Sequence, residues 1–458
     1  MKQRKVLLLL TALASIALAA AAGAGHGQTA AKDPAARMDA YLVAAHKLDR
    51  FNGSVLVASH GRIVLAKSYG MANYELDVPN TPKTKFRLGS VTKQFTAMAI
   101  LQLEEKGKLK VTDPVRTILP DYPASGDKIT IRNLLTHTSG IPNMTEFPDY
   151  PKTMSLPSSP LQTVGRFKDL PLEFAPGEKF SYSNSNYILL GAIIEKVTGR
   201  PYEEYVRDHI FRVLGMDDTG YDHSEVVLKN RASGYEFRGD QLANAPYIDM
   251  SIPFAAGALY STVEDLYKWD RALYTEKLLS RAGLNRMFTP FKGGYAYGWM
   301  VGDLFGHKNI RHGGGINGFV TDISRFPGDD ACVIVLCNYL TGYLKEVSDA
   351  LAGILFGQAV EPPKELTYVK LTAAVLDGYC GRYRVEGAKD VFSVEREGEN
   401  LFIQVDGQPR TLVLAVSETK FFMKALGFWV TFVKDGKGRV THFVLAQGNR
   451  ETKVVRVE

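Results

Sequence analysis

Cysteine is scarce in this sequence, with three residues among 458. Two of them, Cys332 and Cys337, fall on one predicted strand an odd number of positions apart, so their side chains point to opposite faces and cannot form a disulfide. We expect these two and Cys380 to be buried apolar residues. The cysteine content therefore argues against both a disulfide framework and a cysteine metal site.

The chain also lacks a strong charge of either sign. Its net charge is +6 over the whole length and it has no dense stripe of basic residues, so a nucleic-acid partner is not expected. It contains no His-Glu-x-x-His segment and no paired Cys-x-x-Cys, and its nine histidines are scattered. These absences argue against metal catalysis, and no cofactor is implied. We expect His137 to be a hydrogen-bonded structural histidine and not a metal ligand.

The N-terminus has the pattern of an export signal. Lys2, Arg4 and Lys5 precede an apolar run from Val6 to about Ala20, and Ala22-Gly23-Ala24 offers small residues to a peptidase. This pattern predicts a signal peptide over 1–30 and a periplasmic or secreted protein, and a membrane anchor is the alternative. No later segment reaches the ~18 apolar residues that a membrane span needs, so no stable span is expected after signal removal. The sequence does not indicate whether the protein self-associates.

Two regions of different character follow. Residues 31–360 alternate strand-like runs with long helical stretches, which predicts an α+β domain with an antiparallel sheet, flanking helices and a helical region. Strand patterns stand at both ends of this region, so we expect its terminal strands to share one sheet. Residues 361–377, which begin with Glu361-Pro362-Pro363-Lys364, are expected to be a linker. Residues 378–458 contain short alternating runs, which predict a small antiparallel β domain, a barrel or a sandwich.

Periodicity and turn residues predict several individual elements. A hairpin is expected over Gly53–Tyr69 with its turn at His60-Gly61. Ser261 with Glu264 three residues later forms a predicted capping box, and Gly107 is expected to end a helix. The predicted helices and late strands are Ser90–Lys106, Tyr187–Thr198, Val263–Leu273, Phe319–Phe326 and Ala331–Tyr339. Further turns are expected at Pro327-Gly328-Asp329-Asp330, Gly398, Asp406-Gly407, Leu426-Gly427 and Asp435-Gly436.

A first chemical signal lies in the segment Phe86–Lys93, which has the sequence FRLGSVTK. Ser90 and Lys93 are three residues apart at a predicted helix start, so they share one face and their side-chain ends can meet. A hydroxyl becomes a good nucleophile when a neighbouring base takes its proton, and a buried amine with a lowered pKa can be that base. Taken alone the pair is weak, because Ser90 fits equally as an N-cap and Lys93 as a solvated side chain.

Two further segments add to this signal. Tyr182 and Asn184 lie in FSYSN, after a Pro-Gly-Glu turn and before an apolar helix, where side chains project into a cleft. The run Arg311–Gly315, RHGGG, opens onto the predicted strand at Phe319, and its glycines let a substrate approach the strand edge closely. Taken singly, the first segment is an N-cap region and the second is a hairpin turn.

In order and spacing, these three elements resemble the signature of the penicillin-recognising serine hydrolases: Ser-x-x-Lys, Tyr-x-Asn and His/Lys-x-Gly. The Tyr-x-Asn form is similar to class C β-lactamases and D-alanyl-D-alanine carboxypeptidases. The resemblance covers roughly Arg50 to Leu355 and implies a β-lactamase-like fold. Connecting segments that also resemble the family are Leu134–Gly140, Phe174–Gly177, Gly257–Asp265 and Tyr297–Trp299.

The resemblance also implies roles for the motif residues. Ser90 would attack a carbonyl and form an acyl-enzyme, while Lys93 and Tyr182 would share the general-base and general-acid roles in an order that stays open. Asn184 would hydrogen-bond the substrate amide. His312 would help to protonate the leaving group or hold a terminal carboxylate. Gly313 and Gly314 would line the substrate-binding cleft. The backbone N–H groups of Ser90 and Gly315 would form the oxyanion hole.

One departure from the β-lactamases affects the expected activity. Where most β-lactamases have Lys-Thr-Gly, this chain has His312-Gly313-Gly314, and a histidine there is found in family peptidases and esterases. A histidine is charged only part of the time at neutral pH. The implied function is hydrolysis of small esters or amides, including peptides with a D-residue. True β-lactamase activity is one alternative, and a non-catalytic penicillin-binding or sensor protein is another.

A different hydrolase class also deserves comparison. The His312-Gly-Gly-Gly run matches the oxyanion motif of α/β-hydrolase lipases. That fold, however, needs a Gly-x-Ser-x-Gly elbow after the glycine run, and no serine of this chain has glycine at both positions. The glycine run here also follows Ser90 instead of preceding it. These two observations exclude the α/β-hydrolase interpretation.

Overall fold

The computed structural model describes residues 33–238, 241–385, 391–405, 410–424, 427–447 and 450–457. The predicted signal peptide, the predicted turn at Asp406-Gly407 and Leu426 lie outside these residues. Among the described helices, none combines the length with the apolar character that a membrane crossing requires.

Helices and strands alternate along the described residues between 33 and 360. The helices are α1 (Pro34–Lys47), α2 (Thr92–Glu105), α3 (Val115–Ile118), α4 (Ile131–Leu135), α5 (Tyr150–Thr153), α6 (Pro160–Gly165), α7 (Asn184–Thr198), α8 (Tyr202–Val206), α9 (Arg212–Leu214), α10 (Phe254–Gly257), α11 (Val263–Ala272), α12 (Arg281–Met287) and α13 (Leu344–Leu355). The strands are β1 (Gly53–Ser59), β2 (Arg62–Tyr69), β3 (Met71–Asn73), β4 (Val78–Pro79), β5 (Phe86–Arg87), β6 (Gly220–Tyr221), β7 (Tyr235–Arg238), β8 (Gln241–Asn244), β9 (Leu259–Ser261), β10 (Met300–Leu304), β11 (His307–Ile316), β12 (Phe319–Phe326) and β13 (Ala331–Cys337).

A six-stranded antiparallel sheet forms the centre of this region, in the order β10-β11-β12-β13-β1-β2. β1 pairs with β13 from Gly53 opposite Cys337 to Ser59 opposite Ala331. The terminal strands therefore share one sheet, as predicted. β13 is buried along its whole length, because helices cover both faces of the sheet. The expected α+β fold class is confirmed.

The two faces of the sheet contribute to two separate cores. α1 and α13 cover one face, where Val333 and Cys337 are buried together. α2, α7 and the other helices of the helical region build a larger core on the opposite face, which includes Cys332 and Leu336. Cys332 and Cys337 thus point to opposite faces, as their spacing predicts.

Most local predictions agree with the structure, and three differ at helix starts. α2 begins at Thr92 and not at Ser90, which lies in the 3₁₀ turn before it. The β1–β2 turn has positive φ at both His60 and Gly61, which is the type I′ geometry of tight hairpins. α7 begins at Asn184 and not at Tyr187. The cap of α11 is Thr262, whose side chain accepts from the Asp265 backbone N–H, so the prediction of Ser261 was wrong by one residue.

The C-terminal region is a closed eight-stranded antiparallel barrel, which decides between the barrel and the sandwich. A short helix, α14 (Ala373–Asp377), precedes it, and Leu376 of this helix packs into the barrel core with Tyr379 and Phe432. The barrel strands are β14 (Gly381–Val385), β15 (Val391–Glu397), β16 (Asn400–Val405), β17 (Thr411–Ala415), β18 (Lys420–Met423), β19 (Phe428–Lys434), β20 (Val440–Gln447) and β21 (Arg450–Arg456).

Candidate active site

Ser90 lies in a 3₁₀ turn, Gly89–Val91, that leads directly into α2. Neither this turn nor α2 has a side-chain cap, so Ser90 is not the N-cap residue that its position also allowed. The preceding segment is fixed from the sheet, because Thr321 Oγ1 donates to Leu88 O at 2.7 Å. Lys93 follows one turn later with its side chain fully buried, and its Nζ lies 2.9 Å from Ser90 Oγ.

Three oxygen atoms surround the Lys93 amine. Besides Ser90 Oγ, they are Asn184 Oδ1 and Ala256 O, each 2.9 Å from Nζ. Burial lowers the pKa of Lys93 well below its usual value, because the charged form has lost its hydration. A neutral amine has two N–H donors and one lone pair, and two of these oxygens can only accept. The lone pair is therefore left for the hydroxyl of Ser90.

The Tyr-x-Asn segment reaches the same point from the start of α7. Asn184 Nδ2 donates to Thr145 Oγ1 at 3.1 Å, which orients its Oδ1 toward Lys93. The Tyr182 ring centroid lies 5.0 Å from Lys93 Nζ. Burial raises the pKa of the Tyr182 phenol, and a hydrogen bond with the Ser90 side chain opposes that rise. The phenol thus stays protonated beside the serine.

The glycine run lies on an edge of β11 that faces Ser90. β10 pairs with β11 only as far as Arg311, so it leaves the following residues of this edge uncovered. Gly89 has a positive φ of 53°, and a Cβ placed on it would lie 2.8 Å from Gly315 N. A Cβ on Gly314 would lie 3.0 Å from Ser90 N. Such close approach of two backbones is possible only with glycine.

His312 is buried beside these residues, with 4% of its surface exposed. Its Nδ1 lies 2.6 Å from Gly313 O, and its Nε2 lies 2.8 Å from the Tyr295 hydroxyl. A carbonyl oxygen can only accept, so Nδ1 carries the proton and Nε2 accepts from Tyr295. Burial, which removes the hydration of the charged imidazolium, is the main cause that lowers the pKa of His312 to about 3. His312 is therefore neutral at physiological pH, and both of its ring nitrogens have partners.

Two residues around the motif segments were not assigned a place in the site from the sequence. His137 is fully buried, and its Nδ1 accepts from the Ser183 backbone N–H at 3.2 Å. Its ring lies 4.2 Å from that of Tyr182 and 4.7 Å from that of Tyr295. His137 is thus a hydrogen-bonded structural residue, as expected. Tyr295 stands two residues before the Tyr297–Trp299 segment, and no local pattern marks it.

A cavity of about 200 Å³ opens at Ser90. Its described lining residues are mostly apolar and none of them is charged. They are Gly89, Ser90, Met144, Thr145, Tyr150, Asn184, Ile188, Ile248, Ile252, Pro253, Ala256, Gly257, Gly315, Ile316 and Asn317. A larger cavity of about 320 Å³ lies behind the segment 249–254 and contains none of the predicted site residues.

The structure thus brings Ser90, Lys93, Tyr182, Asn184, Gly314 and Gly315 together, with His312 beside the Tyr182 ring, although their roles stay predictions. Gly313 lies on the same strand but faces Asp322, away from Ser90. A serine hydroxyl, a buried amine, a protonated phenol and a glycine strand edge meet at the start of a helix. On an antiparallel sheet with a helical region, this arrangement is typical of penicillin-recognising serine hydrolases. Residues 38–357 match the family model described as Beta-lactamase, and the chain belongs to this family of serine hydrolases.

Similar proteins agree with this assignment. The chain is 30% identical to penicillin-binding protein 4* of Bacillus subtilis, over 89% of this chain and 96% of the relative. Its fold matches the octameric penicillin-binding protein homologue from Pyrococcus abyssi, with 28% identity, a TM-score of 0.64 and coverage of 92% and 99%. A D-stereospecific amidohydrolase from Streptomyces matches with 28% identity and a TM-score of 0.58, over 66% of this chain and 94% of that one. Residues 368–456 match a domain of unknown function, DUF3471.

Proposed function

We propose that this protein hydrolyses small esters or amides, including peptides with a D-residue, through an acyl-enzyme on Ser90. The observation that carries the proposal is the environment of Lys93. Two carbonyl oxygens occupy its N–H groups, and its lone pair faces Ser90 Oγ at 2.9 Å. An amine whose pKa burial has lowered can take the serine proton.

The proposed acylation begins when Lys93 takes the proton of Ser90 while Oγ forms a bond to the substrate carbonyl carbon. The carbonyl oxygen becomes an oxyanion, which the backbone N–H groups of Ser90 and Gly315 stabilise. The bond to the leaving group then breaks as Lys93, directly or through Tyr182, returns the proton to it. Water attacks the acyl-enzyme by the same route in reverse and releases the acid and free Ser90.

Two observations support the substrate class. The cavity at Ser90 is uncharged and lined with isoleucine, methionine and tyrosine side chains, which suits a small apolar acyl group. A similar solved structure is a D-stereospecific amidohydrolase. True β-lactamase activity is the second candidate, because a similar relative is a penicillin-binding protein. A neutral His312 disfavours it, since a penicillin carries a carboxylate that a cation would hold better.

We also propose that the hydrolase domain spans 31–360 and the barrel domain 378–458, with 361–377 between them. The family matches at 38–357 and 368–456 support the division into two domains. The second match begins inside 361–377, and Leu376 of α14 packs into the barrel core, so the end of this segment belongs with the barrel. Export to the periplasm or the medium is proposed from the N-terminal pattern and from the similarity to a bacterial penicillin-binding protein. A small molecule or peptide is the proposed substrate.

The test is the intact-protein mass after incubation with a p-nitrophenyl ester and, separately, with a penicillin. We expect a transient acyl adduct and p-nitrophenol release in the wild type, and neither above background in Ser90→Ala. Hydrolysed penicillin in the wild type only would favour the β-lactamase. A stable penicillin adduct with no turnover of any ester or amide would favour the non-catalytic binding protein.

A further inference from the structure

Tyr295 and His312 form a hydrogen-bonded pair next to the motif residues, and Tyr295 also contacts the Tyr187 hydroxyl. The Tyr295 hydroxyl lies 2.8 Å from His312 Nε2, and both side chains are almost fully buried. The other ring nitrogen of His312 already donates to Gly313 O at 2.6 Å. A neutral imidazole has one N–H, which His312 uses at Nδ1, so in this state the Tyr295 hydroxyl donates to Nε2 and stabilises the neutral form.

The surroundings of this pair also disfavour a charge on His312. The titratable groups that face it come from several elements: Lys93 on α2, His137 after α4, Tyr182 before α7 and Tyr295 before β10. Arg311, its neighbour on β11, points to the opposite face of the sheet, toward α13. Arg311 is neutralised by Asp322 and Asp349, which it contacts at 2.8 and 2.9 Å. The described lining of the adjacent cavity carries no charge.

We infer that Tyr295 is a positioning residue that keeps His312 neutral, with its proton on Nδ1, and so leaves the β11 side of the cleft without a cation. The enzyme then favours substrates whose leaving group is uncharged, such as an ester or an amide of a peptide, over the same peptides that end in a free carboxylate. This inference rests on the proposed function for its substrates, but the state of His312 can be measured without them.

The first measurement is the ¹⁵N spectrum of the histidine rings in the full-length protein, with His312 assigned from a His312→Gln variant. We expect Nδ1 to be protonated and Nε2 to be unprotonated, with no titration from about pH 5 to about pH 8. Tyr295→Phe keeps the ring but removes the donor, so it should raise the pKa of His312 and mix the tautomers. Tyr297→Phe, which removes a nearby phenol without a bond to His312, should leave the spectrum unchanged.

The second measurement compares N-acetyl-D-alanyl-D-alanine with its C-terminal amide. We expect at least about a tenfold preference for the amide in kcat/KM, and the same preference in binding to Ser90→Ala. Tyr295→Phe should reduce this preference, more at pH 6 than at pH 8, and Tyr297→Phe should not.

Each outcome decides a different statement. A His312 that titrates near its ordinary value, or a spectrum that Tyr295→Phe does not alter, overturns the role of Tyr295. Equal binding of the two ligands to Ser90→Ala, or binding of neither, overturns the specificity. Binding with the expected preference but no turnover of either ligand, or of an ester, would contradict the proposed function and leave this inference standing.

Discussion

At the scale of single residues, the environment of Lys93 decides what the site can do. A buried amine is stable when it is neutral and when its N–H groups have acceptors. Asn184 and Ala256 supply those acceptors, and Ser90 faces the remaining lone pair. Lys93 can therefore act as the base that accepts the Ser90 proton, and Ser90 can then act as the nucleophile.

Removing this base should slow acylation strongly with little change in fold. We expect Lys93→Ala to slow acylation by ~10²–10⁴-fold, the usual contribution of a general base. Lys93→Arg should be as inactive, because a guanidinium stays protonated. Stopped-flow release of p-nitrophenol measures the rate, and circular dichroism controls for folding. Wild-type acylation in either variant would show that another group takes the proton.

The lowered pKa of Lys93 also predicts the pH dependence. Below that pKa the amine is charged and cannot accept a proton, so kcat/KM for a non-ionising ester should rise with pH and then level off. The midpoint should lie well below 10.5, the ordinary lysine value. His312, with its pKa near 3, should add no step near pH 6 to 7. A midpoint close to the ordinary lysine value would contradict the burial argument.

The sequence predicts the motif residues of this site but not the residues that hold them. Ser90, Lys93, Tyr182 and Asn184 lie in short patterns whose spacing carries the information. Tyr295 reaches His312 from another segment, and nothing in its neighbourhood requires a tyrosine. Its contact with His312, 17 residues later in the chain, depends on the turn before β10 and on the pairing of β10 with β11, and a short motif does not encode that.

At the scale of elements, the site depends on how closely the first turn of α2 approaches β11. Gly89 and Gly314 allow that approach, since a Cβ on either would meet backbone atoms. The short pairing of β10 leaves the same edge open to a substrate. A single added methyl group at Gly89 or Gly314, where the first turn of α2 approaches β11, should thus lower the activity.

Gly89→Ala tests this expectation against a matched glycine. Gly107 also has a positive φ, of 67°, but a Cβ there meets nothing within 4 Å. Gly107→Ala should lower the stability by ~1–2 kcal/mol through backbone strain alone and leave kcat/KM unchanged. Gly89→Ala should add a displacement of the Ser90 turn and lower kcat/KM by ~10²-fold or more. Thermal unfolding controls for the stability of both variants. Equal activity of Gly89→Ala and Gly107→Ala would show that a side chain is tolerated where the Ser90 turn approaches β11.

Helix boundaries show where prediction of elements from the sequence fails. Ser261 and Thr262 are both good caps, and the sequence cannot choose between them. In the structure Ser261 of β9 pairs with Phe86 of β5, and its hydroxyl forms a hydrogen bond with the Thr219 hydroxyl. The next residue, Thr262, therefore caps α11. Local propensity favours Ser261 and Thr262 equally as the cap, and tertiary contacts determine which of them caps the helix.

At the scale of the whole molecule, the barrel packs on the side of the sheet that α1 and α13 cover. Phe422 of the barrel lies near Tyr343, with ring centroids 6.0 Å apart. Lys424 lies 3.8 Å from Asp49. These contacts are on the opposite face from the core that contains α2, so they do not cover Ser90.

A chain that ends before Pro362 should therefore keep the wild-type kcat/KM for a small ester. Near-UV circular dichroism checks that the shortened chain remains folded, and light scattering compares the oligomeric states. Loss of activity in a folded, shortened chain would show that the barrel shapes the cleft. Loss of self-association alone would assign the barrel to assembly. The sequence predicts the barrel itself, from alternation and turns, but not where it docks, because docking depends on a few scattered contacts.

The pairing of β1 with β13 has a consequence for how the protein is made. The two strands are ~280 residues apart in the chain, with Gly53 opposite Cys337. At a synthesis rate of about 5–20 residues per second, the first strand waits on the order of tens of seconds for its partner. Until then the central sheet cannot close, and such long-range pairing is slow once it starts. The nascent polypeptide must therefore be protected from aggregation, so a chaperone that holds it unfolded should raise the yield more than one that speeds local folding.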